Sequence, residues 1–151
     1  MMNSTTPAVV SSQIMGLCAR ITKKPNPVYV SVATSPDAEL NQCFFNVDDH
    51  VTRFGGQMIC GWTIWEWPNL YIEAEHHAVW RSQSGELVDV SPKAALEQKI
   101  LFLADKRATF HTSYPEVERQ CASRCKSRSS GFSVSRGVIE FRKVHHSTFS
   151  T

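Results

Sequence analysis

An α+β fold, with one N-terminal helix packed on a twisted antiparallel β-sheet, is what this sequence predicts, and three observations predict it. Residues 40–54, LNQCFFNVDDHVTRF, place Phe44, Val47, Val51 and Phe54 on one face at helical spacing. Residues 57–67 and 70–81 are two runs rich in aromatic and β-branched residues, parted by Pro68-Asn69. A short apolar run, ELVDV at 86–90, follows the turn residues SQSG. Helix first and sheet afterwards is the order of a segregated α+β domain.

Taken in order, residues 1–25 read as a flexible leader ahead of Pro25 and Pro27. VYVSVAT at 28–34 alternates around β-branched residues and reads as a strand. SPDAEL reads as a turn into the helix, with Ser35 or Asp37 as its cap. Gly55-Gly56 is a C-terminal stop. The runs 57–67, 70–81 and 86–90 form a meander, and KILFLAD at 99–105 adds a fourth strand to it. A second helix is expected around 114–126, with Pro115 in its first turn, and a last strand at 137–144. Residues 26–146 thus make a single domain, and 147–151 a tail.

Composition narrows the function. At 42% apolar and 20% charged residues the chain is an ordinary globular one, long enough to bury a core without metal or disulfides. It lacks a membrane-length apolar run and a basic-then-apolar leader, so no membrane partner and a cytoplasmic location are expected. Five cysteines, an odd number, read as free thiols. Charge is uneven: residues 1–105 carry 7 basic and 11 acidic side chains, and 106–151 carry 9 and 3. The basic segment, with its serine-rich SRCKSRSSGFSVSR, reads as a loosely ordered solvated face rather than a nucleic-acid surface.

The chemistry concentrates in EAEHHAVWRSQSGELVDVSP, residues 73–92. If Gln83-Ser84-Gly85 is a three-residue hairpin loop, Ser82 pairs with Glu86, and His77 and Asp89 become diagonal neighbours on one face. A four-residue loop would put them on opposite faces. A carboxylate beside an imidazole fixes its tautomer and stabilises its cation. Cys43 is the candidate nucleophile: in the first turn of its helix the dipole and unpaired N–H groups favour thiolate. Trp62, Trp65 and Glu75 are candidate substrate contacts, with Glu73 and Glu75 on the same strand face as His77. Each residue also has a plain reading: Cys43 as packing, Asp89 as the cap of the turn at Ser91, the tryptophans as core.

The order of a helix-borne Cys in NQCFFNV, then His in HHAVW, then Asp in LVDVSP resembles the core of the transglutaminase-like, papain-related thiol enzymes. The likeness covers roughly residues 38–103. It implies a papain/transglutaminase-like core and a Cys43–His77–Asp89 triad acting on an amide or acyl substrate, small molecule or peptide, with no cofactor or metal. Two alternatives stay open. One is a ligand- or protein-binding domain without turnover. The other is a zinc site drawing on Cys43, His76, His77 and Asp89, or on Cys121 and Cys125 at helical i, i+4 spacing.

Overall fold

The computed structural model describes residues 4–67 and 70–108 and the backbone of 130–135 and 138–143. Its elements run α1 (Ser12–Ile21), β1 (Val28–Val32), α2 (Cys43–Phe54), β2 (Gln57–Trp67), β3 (Tyr71–Arg81), β4 (Leu87–Asp89), β5 (Lys99–Ala104), β6 (Ser130–Ser135) and β7 (Val138–Lys143). The strands are ordered β2-β5-β1-β4-β3-β7-β6, and β2 also pairs with β3. That last pairing closes the first five strands into a β-barrel, with β7 and β6 continuing from β3.

The α+β expectation of a helix on a papain/transglutaminase-like sheet is therefore corrected. The described fold is mostly strand, with a closed five-stranded barrel and two short helices. The meander is corrected too. β1 runs parallel to β4, with Val32 opposite Asp89, and β5 inserts antiparallel between β1 and β2.

Closure explains why both faces of the strands are apolar. Val30, Val79, Ile100 and Phe102 form one buried cluster, joined by Val28, Val32, Ile59, Trp65 and Leu87, and this fills the barrel. The alternate residues point outwards and are covered by the helices. Trp62, Ile64, Ile72, Ala74, Leu101 and Leu103 pack against Ile14, Leu17, Cys18 and Ile21 of α1. Ala78 and Val90 pack against Cys43, Phe44 and Val47 of α2. Gly61 permits the tight β2–β5 seam: a Cβ there would lie 2.1 Å from the Leu103 carbonyl oxygen and 2.8 Å from Phe102 Cζ.

Residues 12–21, read from the sequence as part of a leader, form α1. Ser11 caps it by accepting the Ile14 N–H at 3.2 Å, and Arg107 binds the carbonyl of Ile21 at its other end. A ten-residue helix is marginal alone. Burying Ile14, Leu17 and Ile21 stabilises it by roughly 1.5–3 kcal/mol per side chain. The helix expected around 114–126, and Cys121 and Cys125 with it, lies outside the described residues.

Candidate functional site

The hairpin between β3 and β4 sets the register on which the site depends. Ser82 N–H donates to the Glu86 carbonyl at 2.8 Å across the loop Gln83-Ser84-Gly85, and Trp80 and Arg81 pair with Val88 and Leu87. Gly85 supplies the positive φ, 92°, that closes a loop of this length. With that register His77 and Asp89 both face the barrel interior. His77 Nε2 donates to Asp89 Oδ2 at 2.9 Å, and both side chains are buried.

Asp89 does more than orient the ring. Its Oδ1 accepts the Ser91 N–H at 3.0 Å, so one oxygen holds the turn and the other faces His77. Lys93, from beyond that turn, places Nζ 2.6 Å from Oδ2. Burial pushes the Asp89 carboxyl up, but His77 and then Lys93 outweigh it and hold the group below its ordinary range.

Cys43 is the first residue of α2 and reaches His77 from a third element. Gln42 stands at the N-cap and makes no side-chain cap hydrogen bond. The helix end is tied to the carboxylate's turn through Asn46, whose Nδ2 donates to Ser91 Oγ at 3.1 Å and to the Glu39 carbonyl at 2.8 Å. Ser35 N–H donates to the Val90 carbonyl at 2.9 Å and fixes the segment that leads into the helix. Cys43 acts on the imidazole electrostatically and as a hydrogen-bonding partner, and with Nε2 given to Asp89 the other ring nitrogen is the one left for it. Burial pulls the His77 pKa down. The charges of Cys43 and Asp89, and their hydrogen bonds, outweigh it and raise it to about 10.

His76, the other member of the pair, is on the outer face. Its Nε2 is 3.1 Å from the Ala108 carbonyl, and its ring packs against Phe44 and Trp62 with centroids 4.7 and 5.1 Å away. It belongs to the packing under α2, because neighbouring strand residues point to opposite faces.

Of the expected substrate contacts, Trp62 is not brought to the site. It packs on the outer face in the α1 cluster and donates Nε1–H to Asp105 Oδ2 at 3.2 Å. Trp65 and Glu75 lie on the His77 face, and Trp65 Nε1–H donates to Glu75 Oε2 at 2.7 Å. A groove of about 310 Å³ runs along the flank of α2, lined by Glu39, Gln42, Phe45, Asn46, Asp49 and Arg53 among others. Gln42, which precedes Cys43 in the chain, is part of its lining; Cys43, His77 and Asp89 are not. Sequence reasoning missed Lys93 and Asn46. Lys93 stands four residues after Asp89, and Asn46 three after Cys43, on the same side of the helix.

Among the described residues no group of three His, Cys, Asp or Glu side chains is arranged to hold a metal ion. No described helix is long and apolar enough to cross a membrane. Comparison with protein-family models, with curated proteins and with solved structures finds no match. Nothing in those comparisons identifies a transglutaminase-like or papain-like family, so the site is judged on its own geometry.

Proposed function

We propose that this barrel protein is a thiol-dependent hydrolase or acyltransferase acting on an amide or acyl substrate. One observation carries the reading: Cys43, His77 and Asp89, from α2, β3 and β4, meet in sequence with His77 in the middle. That is the arrangement nucleophilic catalysis requires, a nucleophile at a base and the base held by a third group.

In the reaction the proton of the Cys43–His77 pair is held on the imidazole as Cys43 Sγ attacks the acyl carbon. The tetrahedral oxyanion lies at the start of α2, where the backbone N–H of Cys43 is a donor and the helix dipole is favourable. Collapse breaks the bond to the leaving nitrogen or oxygen, which takes the proton from His77. Water or an amine, deprotonated by His77, then attacks the thioester and releases Cys43. Asp89 keeps the imidazole in the required tautomer throughout. We assign the groove lined by Gln42 as the approach for a small molecule or peptide, with Trp65 and Glu75 on the same sheet face as His77. The described cysteines, Cys18, Cys43 and Cys60, are not in disulfides, which suits a reducing, cytoplasmic setting.

Site-resolved alkylation by iodoacetamide tests this reading. Cys18 is the internal control, since burial pushes its thiol up to about 11. Cys43 is expected to label at least ~10-fold faster than Cys18 near neutral pH and to lose that advantage in His77→Ala. If Cys43 labels only on unfolding, the residue is packing and the reading falls.

A further inference from the structure

Asp89 has more partners than a carboxylate that only orients a histidine needs. Its side chain is 0% exposed, and Lys93 Nζ and His77 Nε2 approach the same oxygen, Oδ2, at 2.6 and 2.9 Å. The Lys93 side chain is itself only 9% exposed. Lysine is rarely buried unless paired, and here it is turned inwards to a carboxylate that already has a histidine.

The consequence lies in the charges. A buried carboxylate needs a counter-charge whichever protonation state its neighbours adopt. With histidine as sole partner, Asp89 would hold His77 as imidazolium, since a neutral ring would leave the carboxylate uncompensated. With Lys93 present, Asp89 is compensated in both states. Two nitrogens bound to one oxygen at these distances lie at most about 5.5 Å apart, close enough for the ammonium to oppose protonation of the ring. The other groups acting on His77 are Cys43 from α2 and the uncharged Phe102 of β5, whose ring lies 6.5 Å away; Glu75, two residues back on the same face of β3, is exposed and accepts from Trp65.

We propose that Lys93 is a positioning residue of the thiol site. It keeps Asp89 ionised whichever form His77 takes, and its ammonium opposes part of the pull that Cys43 and Asp89 exert on the ring's proton. The role in catalysis rests on the thiol reading above; the charge coupling does not.

The test is the titration of the His77 ring by NMR in the full chain, for the wild type, Lys93→Gln, Lys93→Met and Lys93→Arg. The neutral variants are expected to keep the imidazolium about one to two pH units higher than the wild type. Lys93→Arg keeps the charge and is expected to titrate with the wild type. The high-pH limb of Cys43 alkylation should move with the ring, which a merely structural lysine would not cause. Neutral variants that fold and titrate like the wild type overturn the proposal. The wild type gives a second reading that needs no substitution: the Asp89 side-chain carboxylate resonance should step at the His77 midpoint while staying in its ionised range, and a move to the protonated range overturns the coupling. If Cys43 proves unreactive while both steps occur, the thiol reading alone falls.

Discussion

Substituting Gly61 by alanine attacks the closure of the barrel at its tightest point. The added Cβ would stand 2.1 Å from the Leu103 carbonyl oxygen, 2.8 Å from Phe102 Cζ and 2.9 Å from Ala104 Cα, where ordinary contact begins near 3.4 Å. Two of the three are backbone atoms, so no rotamer change relieves them. β2 and β5 must part by about 1.3 Å, the difference between 3.4 and 2.1 Å. Phe102 must also leave the barrel centre, where it packs beside His77. Overpacking of this kind costs about 3 kcal/mol. In a chain of this size the melting temperature should fall by roughly 6–12 °C. Urea denaturation followed by tryptophan fluorescence measures it, with an unchanged slope showing that the same surface is exposed. A loss below about 1 kcal/mol would mean that β5 does not lie against β2 at Gly61, and that the barrel is open there.

Three further outcomes follow from the same contacts. Gly16→Ala should stabilise the protein by about 0.5–1 kcal/mol in the same assay, because Gly16 is exposed in α1 with nothing within 4 Å of an added Cβ; a loss would deny that 12–21 is helical. Asp89→Asn should cost about 3 kcal/mol near neutral pH, since it leaves Lys93 facing a neutral group in a buried site. Asp89 is depressed from 3.8, so its contribution is present above that pH and is lost as pH falls through the native value. The variant should therefore show a flatter acid limb in unfolding against pH. His76→Ala should lose about 2 kcal/mol of stability from the packing under Phe44 and Trp62, with the labelling rate of Cys43 unchanged; a matched loss of labelling would move the working histidine to His76.

Except for β6 (Ser130–Ser135), which falls in a segment read as loosely ordered, strand positions were legible in the sequence because period-2 alternation and turn residues are local. Pro68-Asn69 and Gln83-Ser84-Gly85 mark two hairpins, and the loop between β3 and β4 fixes the parity that brings His77 to Asp89. Closure was not legible, because it depends on pairings distant in sequence. Val32 meets Asp89, and Trp62 meets Leu103, without any local signal for either partner. One hint was present: Ile100, Leu101, Phe102 and Leu103 are all buried, and a strand apolar on both faces must be covered on both. A sheet with one helix leaves a face wet. Helix α1 was legible and passed over, since Ser11 stands before Ile14, Leu17, Cys18 and Ile21 at helical spacing. Lys93 was beyond reach, because nothing in DVSPK says whether a lysine turns inwards to the aspartate or outwards to water.

Acyl transfer through Cys43 leaves a covalent intermediate, and trapping that acyl-enzyme is the decisive test. The full chain is mixed with excess p-nitrophenyl acetate, nitrophenolate release is followed, and the protein is quenched in acid and mapped by mass spectrometry. Acyl transfer predicts a burst of about one equivalent, then slower turnover, with one acetyl group on Cys43, and loss of the burst in Cys43→Ala and His77→Ala. No acetyl on Cys43, with release no faster than in the two variants, would contradict it and leave the triad as a buried polar network.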